Sequence, residues 1–202
     1  MRSRCYYQAM KRSTNQGVTL VELLITLSLT AILLALAGPS FRDMMLNNRR
    51  AAQLNALTGS LNLARSAAVK GGSDAVVCIS DGANPPDCDS DGTRWEAGWL
   101  VIVDSNKEGP VSRADGDLVL EVHGALAEGT TLRGDSNRIR YTSRGNSRDP
   151  GTLLMCDSRG PEAAGGIVIS PSGRSKLATD ADKDGTVEDG SGNEFTTCPW
   201  SD

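Results

Sequence analysis

The sequence predicts an α+β fold in which one long N-terminal helix packs on a C-terminal antiparallel β-sheet domain. The first part is helical in pattern, because an apolar run from Val18 to Ala37 is followed by apolar residues three and four positions apart. From Ala75 onward the period changes to two, and turn residues separate short apolar runs. One helix before several strands is typical of this class. The predicted segments are a leader (1–17), a membrane-spanning helix (18–37), its continuation (38–72) and a β-rich head (73–202).

The apolar run is long enough to cross a membrane. As a helix, Val18–Ala37 is about 30 Å long, which is the thickness of a bilayer's hydrocarbon core. The segment before it carries Arg2, Arg4, Lys11 and Arg12 and no acidic residue. A basic leader holds its end of the helix on the cytoplasmic side. We therefore expect a single pass through the inner membrane, with the head exported to the periplasm.

Two details distinguish this run from an ordinary signal peptide or anchor. A secretory signal is cut after its apolar region, whereas here the run passes into Gly38-Pro39 and then into a helical pattern, so we expect no such cut there. Instead, Gly17 stands just before the run and a single carboxylate, Glu22, lies inside it. An ionisable group at membrane depth is costly and indicates a function. The alternative is a plain anchor in which Glu22 lies near the interface.

The residues around this carboxylate resemble a known signal. Gly17–Leu24, with the sequence GVTLVELL, resembles the type III signal of type IV prepilins and type II secretion pseudopilins, usually Gly-Phe-Thr-Leu-Ile-Glu-Leu. The resemblance implies that prepilin peptidase cleaves after Gly17 and that Val18, which replaces the usual Phe, is N-methylated. It also implies that Glu22 pairs with the terminal amine of a neighbouring subunit. A buried carboxylate and a buried ammonium are costly alone and tolerable as a pair.

The helix is expected to continue beyond the membrane. Gly38-Pro39 interrupts the run, and proline removes a backbone hydrogen bond, so we expect a kink or local unfolding near Ala35–Pro39. Beyond it, an apolar stripe indicates packing on the chain's own sheet, with a coiled-coil partner as the alternative. The stripe comprises Leu54, Leu57, Leu61, Ala64 and Ala68. Gly71-Gly72 ends the helix.

Six short segments after the helix have the composition of strands. They are rich in β-branched and apolar residues, and Gly, Asp, Asn and Pro fill the gaps between them. The predicted strands are 75–80, 98–103, 117–122, 137–142, 152–156 and 166–170. Their short connections favour an antiparallel sheet.

The head also resembles one subfamily. WEAGWLVIVDSNKEG (95–109), MCDSRG (155–160) and IVISPSGRSK (167–176) are similar to segments of FimT/GspH-type minor pilins. The chain is therefore identified as a minor pilin or pseudopilin, a structural subunit for type IV pilus assembly or priming. The implied partners are other pilins or pseudopilins and prepilin peptidase. Two alternatives are a GspH-type pseudopilin of a type II protein secretion system and a DNA-binding minor pilin for natural transformation.

The cysteines indicate an oxidising compartment. Cys5 lies in the leader, and four others remain in the exported part: Cys78, Cys88, Cys156 and Cys198. An even number in an exported domain suggests two disulfides, with three possible pairings. We favour Cys78–Cys88, because a short loop with Pro85-Pro86 separates them, which leaves Cys156–Cys198. Free buried thiols are the alternative. A zinc site is disfavoured, because no Cys-x-x-Cys is present and the sequence holds one histidine.

Three acidic turns share the opening of a calcium-binding loop. They begin at Asp87, Asp104 and Asp180, and each has oxygen-bearing side chains at alternate positions and Gly at the sixth. Their twelfth positions lack the bidentate Glu of a full loop. Asx turns explain the same residues, so we predict no metal site overall. The weak calcium candidate that remains is Asp180, Asp182 and Asp184.

A basic segment raises the possibility of DNA binding. Between Arg133 and Lys176 basic residues outnumber acidic ones, and cations on one surface neutralise phosphates. Some FimT-type proteins bind DNA through a Gly-Arg-x-Arg motif, to which Gly173–Lys176 corresponds, with Arg174 and Lys176 as the cations. The Lys in the last position and the acidic residues that follow both weaken this interpretation. A solvated strand face or a pilin contact is the alternative.

Nothing in the sequence indicates an enzyme or a cofactor. The single histidine, His123, falls in a predicted strand, where a structural role is far commoner. No glycine-rich phosphate-binding loop is present. Trp95, Trp99 and Trp200 are predicted core residues rather than a stacking platform.

Overall fold

The computed structural model describes residues 17–90, 92–107 and 111–198. Most of the leader, with Cys5, lies outside the described residues, as do Asp91, Glu108 and Trp200. The chain divides into two compact units, Met1–Met45 and Leu46–Asp202. We call the second unit the head.

One helix, α1, spans Leu20–Gly71. Its backbone remains helical through Gly38-Pro39, so the local unfolding expected there is absent. One proline removes a single hydrogen bond, and the turns on both sides keep theirs. An 18-residue window of α1 has a mean hydropathy of 2.4, which suits a membrane span by length and composition. Three hydroxyl side chains in it donate to carbonyls three or four residues back, which satisfies them without water. These are Thr26, Ser28 and Thr30.

The head contains eight strands in two antiparallel sheets. Their bounds are Ala75–Ile79 (β1), Trp99–Val103 (β2), Leu118–His123 (β3), Thr131–Gly134 (β4), Arg138–Tyr141 (β5), Gly151–Cys156 (β6), Gly165–Ile169 (β7) and Ser175–Leu177 (β8). The first sheet has the order β3-β2-β1-β5 and the second the order β4-β6-β7-β8. All six predicted strands are present. The two that sequence analysis missed, β4 and β8, have four and three residues, and both are mostly polar.

A single core joins the helix to both sheets. The predicted stripe of α1, from Leu54 to Ala68, is buried in this core together with the inward residues of β1, β2, β6 and β7. Trp95 and Trp99 are fully buried, as predicted. Each indole nitrogen has a partner: Trp95 Nε1 donates to the Ser136 carbonyl and Trp99 Nε1 to Ser60 Oγ, both at 2.9 Å. The predicted α+β fold, with the helix packed on antiparallel sheet, is confirmed.

The outer faces of the two sheets are also covered. On the first sheet, Cys88 and Val111 from two long loops pack against Val76, Cys78, Leu100 and Ile102. On the second sheet, the cover is the segment 178–198, which we call the C-terminal tail. Its residues Val187, Phe195 and Cys198 pack on a small apolar cluster of Leu154, Cys156 and Ala164.

Candidate assembly site

The N-terminal signal lies at the start of α1. Thr19 precedes the helix and its Oγ1 accepts a hydrogen bond from the backbone N–H of Glu22 at 3.2 Å. Thr19-x-x-Glu22 therefore has the sequence of a capping box, of which this bond is one half. A carboxylate in the first turn also interacts favourably with the positive end of the helix dipole. Sequence reasoning singled out Glu22 and missed this cap, although the spacing was visible.

The Glu22 carboxylate itself has no hydrogen bond or ion pair with any residue that the structure describes. Around it the surface is apolar: Val18, Leu20 and Val21 are 69%, 75% and 63% exposed. The exposed apolar surface continues along α1 to Leu34. Placed in a membrane or in a bundle of helices, this carboxylate requires a cationic partner from outside its own chain.

The predicted processing site is open. Residues 17–19 precede the helix, and apart from the neighbours of Gly17 in the chain no atom of the described residues lies within 4 Å of a Cβ built on it. The described part of the segment thus places no side chain against the Gly17–Val18 bond.

Two disulfides stabilise the head, and their pairings are the ones that the sequence analysis favours. Cys78–Cys88 joins β1 to the loop that covers the first sheet, with a Cα–Cα distance of 5.5 Å. Cys156–Cys198 joins β6 to the C-terminal tail, with a Cα–Cα distance of 6.0 Å. Each bond therefore fixes a covering segment to the outer face of one sheet.

In the first two acidic turns, the leading aspartate accepts backbone hydrogen bonds. Asp87 accepts the backbone N–H groups of Cys88, Arg113 and Ala114, at 2.7, 2.9 and 2.9 Å, and so ties together the two covering loops. Asp104 is buried and accepts the Lys107 N–H at 2.6 Å. Among the described residues, which exclude Asp91 and Glu108, no set of three metal-ligating side chains converges in either turn.

The third acidic turn brings more carboxylates together. Oxygens of Asp180, Asp182 and Glu188 lie within 4.8 Å of one another, and so do those of Asp182, Asp184 and Glu194. The turn itself repeats the geometry of the second one, because Asp180 accepts the Lys183 N–H at 2.6 Å. Glu188 and Glu194 were not part of the predicted set. Calcium binding stays a prediction for this loop.

Four of the eight basic residues in the predicted segment, Arg133, Arg140, Arg148 and Arg159, form ion pairs. Arg140 forms two hydrogen bonds of 2.9 Å with Asp149. Arg159 pairs with Asp157 in the same manner, at 3.0 and 2.7 Å. The Arg159 guanidinium holds the pKa of the Asp157 carboxyl below its usual value through these hydrogen bonds, against the opposing effect of burial.

Three cations, by contrast, are exposed and form no ion pair with a described residue. They are Arg144, Arg174 and Lys176. Arg144 and Arg174 lie in two turns that meet at α1, because Arg65 donates to the carbonyls of Gly145 at 2.9 Å and of Ser172 at 3.0 Å. A Cβ on Gly173, whose φ is +76°, would overlap the Gly145 carbonyl oxygen. Glycine is required at this contact.

Two family models match this chain. A family model described as type II transport protein GspH matches residues 53–173, which is more than half of the chain. The chain belongs to the GspH family. A second model, the prokaryotic N-terminal methylation motif, matches residues 12–38. Both together confirm the predicted minor pilin or pseudopilin type.

One solved structure shares the fold, and a second is more distantly similar. The type IV minor pilin FimU of Pseudomonas aeruginosa superposes with a TM-score of 0.53 at 17% identity, covering 77% of this chain and 98% of that one. The minor pseudopilin EpsH of the Vibrio cholerae type 2 secretion system gives a TM-score of 0.47 at 15% identity, covering 66% and 98%. None of the curated proteins matches the chain.

The two family models match different sets of the site residues. The methylation motif includes Gly17, Val18 and Glu22. The GspH match includes the apolar stripe of α1 and the strands β1 to β7, and it ends at Gly173, one residue before Arg174. Arg174, Lys176 and the C-terminal tail therefore lie beyond the part of this GspH-family chain that the family model matches.

Proposed function

We propose that this chain is a minor structural subunit of a type IV pilus, anchored in the inner membrane with its head in the periplasm. Prepilin peptidase cleaves it after Gly17, and the new terminus at Val18 is N-methylated. The subunit then enters the filament, or the complex that primes it, with other pilins or pseudopilins. Its mechanism is assembly, and no catalytic step is assigned to it.

One observation carries this proposal. Glu22, which pairs with no described residue, lies on an exposed apolar helix, five positions after Gly17, and its backbone is capped by Thr19 in the first helical turn. Cleavage creates a terminal ammonium on each subunit. Pairing Glu22 of one subunit with the terminal ammonium of its neighbour removes two unfavourable charges from the apolar layer at once. Because only one register makes this pair, the carboxylate selects how helices stack.

The test compares Glu22→Gln with a matched control, Thr26→Ala, in the full chain. Thr26 lies one turn further along α1, and its hydroxyl donates to its own helix at Leu23. We expect Glu22→Gln to insert into the membrane normally and to lose co-purification with other pilins, because a neutral amide cannot neutralise the ammonium. Thr26→Ala should assemble as the native chain does. Normal assembly of Glu22→Gln would contradict the proposed role of the carboxylate.

Processing is tested separately by mass spectrometry of the chain purified from membranes. The expected N-terminus is Val18 with one added methyl group. Substitution Gly17→Val should leave the leader attached, since a branched side chain then occupies the open site. An unmodified leader on the native chain would refute processing and, with it, the terminal ammonium that Glu22 requires.

The alternative filament is the pseudopilus of a type II protein secretion system. Both filaments use the same signal and the same kind of helix, so the discriminating measurement is the phenotype of a deletion strain. Loss of surface pili with normal protein secretion supports the pilus. Loss of secretion with normal pili supports the pseudopilus.

DNA binding is a second candidate function, favoured by the convergence of two turns at Arg65. This contact brings together the two turns that carry Arg144 and Arg174, and both side chains are exposed. Lys176 lines an adjacent open cavity in which the carboxylates of Asp135 and Asp189 oppose it. A phosphate backbone would have to be held mainly by the arginines, with an affinity that falls steeply with salt.

The corresponding test uses duplex DNA and the purified protein at low and at physiological salt. Arg174→Glu with Lys176→Glu should abolish binding that persists at physiological salt, and the control Lys183→Glu, in the acidic tail, should leave it unchanged. Binding that survives the double reversal, or that exists only at low salt, would exclude this site as a DNA receptor.

A further inference from the structure

Thr19 fixes the residue at which α1 begins. Its Oγ1 accepts the backbone N–H of Glu22 at 3.2 Å, and its carbonyl accepts the N–H of Leu23 at 3.1 Å. Both bonds are those of an N-cap residue, whose side chain satisfies a donor of the first turn while its own backbone stays outside the helix. The helix accordingly starts at Leu20, and residues 17–19 precede it.

This start leaves the Gly17–Val18 bond outside the helix. The Gly17 carbonyl accepts no backbone hydrogen bond from a described residue. A helix that included Gly17 would engage this oxygen, because each helical carbonyl accepts the N–H group four residues further on, here that of Val21. A peptidase that hydrolyses the bond has to bind the same oxygen as negative charge develops on it. Helical pairing and cleavage therefore compete for one atom.

The sequence contains a second place at which a helix can begin. Ser13-x-x-Gln16 has the pattern of a capping box and stands just before the apolar run. These two residues lie outside the described part of the chain. A helix that began after Ser13 would include both Gly17 and Val18. The two caps therefore define two helix starts, and only the one at Thr19 leaves the bond between Gly17 and Val18 accessible.

Gly17 also opposes the longer helix. Glycine inside a helix is unfavourable, because its backbone loses more conformational freedom on ordering than that of any other residue. Apart from its neighbours in the chain, no described atom lies within 4 Å of a Cβ built on Gly17, and its φ is not in the left-handed region. Within this chain, neither crowding nor a left-handed φ requires glycine there. Its contribution is to disfavour helix at the residue before the cleaved bond, in the same direction as the cap at Thr19.

We propose that Thr19 is a positioning residue for prepilin processing: its hydroxyl holds the helix start at Leu20 and so keeps the Gly17 carbonyl free for the peptidase. This inference rests on the proposed function, because it takes cleavage after Gly17 from it. Hydrolysis adds water across the Gly17–Val18 bond, which leaves a carboxyl on Gly17 and an amine on Val18. Thr19 takes no part in this step and acts only on the conformation of the substrate.

The first measurement is the rate at which prepilin peptidase processes the full chain in membranes, followed by mass spectrometry. Thr19→Ala should slow processing about threefold to fivefold, because loss of a Ser or Thr cap shifts the helix start by about that factor. Thr19→Asn should rescue the rate, since asparagine caps a helix at least as well as threonine. Thr26→Ala is the matched control, because the Thr26 hydroxyl donates to Leu23 within the helix, and it should leave the rate unchanged.

A double variant tests the competition between the two caps. Ser13→Ala combined with Thr19→Ala should recover most of the rate that Thr19→Ala loses, because the upstream helix start is then weakened as well. The conformation at the bond is measured separately, by NMR of the uncleaved full chain in detergent. Gly-Val occurs once in the sequence, so isotope labelling of the glycine carbonyl and the valine nitrogen selects the Gly17–Val18 amide. The Gly17 carbonyl shift should move towards the helical value in Thr19→Ala and stay at the native value in Thr19→Asn.

These outcomes separate failure of this inference from failure of the proposed function. If the native chain is not cleaved after Gly17, processing is refuted and this inference with it. If the native chain is cleaved and Thr19→Ala is cleaved as fast, processing stands and the role of Thr19 is refuted. Slow cleavage of Thr19→Asn would show that the peptidase recognises the threonine side chain itself, which also overturns the inference. An unchanged Gly17 carbonyl shift in Thr19→Ala, or no recovery of the rate in the double variant, overturns it too.

Discussion

The two units of this chain use the same apolar residues in opposite ways. In the first unit, Leu27 and Leu34 are 59% and 68% exposed, and the apolar surface runs around the helix. In the head, Leu57 and Leu61 of the same helix are fully buried. A leucine in the first unit is therefore stabilised only by a membrane or by neighbouring helices, whereas a leucine in the head is stabilised by its own chain. One helix thus serves assembly at one end and folding at the other.

This comparison predicts opposite effects for the same substitution in the two units. Leu57→Ala should lower the free energy of unfolding of the head by about 2–5 kcal/mol, because it leaves a cavity in a closed core. Leu27→Ala should change it by less than about 0.5 kcal/mol, because this side chain lies outside the core and is 59% exposed. The measurement is denaturant unfolding of the full chain in detergent, followed by the fluorescence of the buried Trp95 and Trp99. Equal losses of unfolding free energy in both variants would contradict this distinction between the two units.

The second prediction concerns how the head closes its outer faces. Replacing Cys156 and Cys198 by Ser should cost about 4 kcal/mol, because the closed loop spans 42 residues. The same change at Cys78 and Cys88, which are 10 residues apart, should cost about 2.7 kcal/mol.

Limited proteolysis provides the control for the disulfide comparison. Only the Cys156/Cys198 variant should be cleaved within the C-terminal tail, because the tail is then held only by non-covalent contacts, which include those of Val187 and Phe195. A tail that stays protected in that variant would show that apolar packing, and not the disulfide, holds it in place.

The smallest effect is expected at the polar contact between the helix and the second sheet. Asp157 pairs with Arg159, which in turn donates to Asn47 of α1 at 2.9 Å. Asp157→Asn should cost about 1.5–3 kcal/mol at neutral pH, since it removes charge-assisted hydrogen bonds from a mostly buried pair. The exposed pair Arg148–Asp74 offers the control, and Asp74→Asn should cost less than about 1 kcal/mol.

The ion pair between Asp157 and Arg159 should stabilise the head less at low pH than at neutral pH. The folded-state pKa of Asp157 lies below its ordinary value, chiefly through its hydrogen bonds with Arg159. The contribution of the Asp157 carboxylate to the free energy of unfolding is therefore complete above the ordinary carboxyl pKa of about 4. It is lost as pH falls through the lower folded-state pKa. Thermal melts from pH 6 downward should show a smaller acid-induced loss of stability in Asp157→Asn than in the native protein. An identical pH profile would contradict this assignment.

The turn chemistry shows where sequence reasoning reaches its limit. Three acidic motifs look alike in sequence, yet Asp87 holds two distant loops together while Asp104 caps its own turn. The partners of Asp87 are Arg113 and Ala114, which no local spacing reveals. Strands β4 and β8 were missed for a related reason: both are short and polar, and their pairing with β6 and β7 defines them rather than their composition.

Local patterns in the sequence determined the elements and the family of this protein. The apolar run, the basic leader, Gly17 and Glu22 indicate a pilin-type signal, and the spacing from Leu54 to Ala68 indicates the buried face of the helix. These features are readable because they arise from periodicity and from residues adjacent in the chain. The sequence favoured one pairing of the cysteines. It did not show that each disulfide fixes a covering segment to the outer face of one sheet.

Only the tertiary structure decided which apolar surfaces remain open. Strand β3 is largely aliphatic, as β1 is, although it also contains Glu121 and His123. The order of strands places β1 in the middle of its sheet and β3 at the edge, where no described loop covers Leu118, Leu120 or Val122. Burial depends on which segments pack over a residue, and those segments are distant in sequence. The helix signal can therefore be read from the sequence, whereas the exposure of β3 is known only from the folded structure.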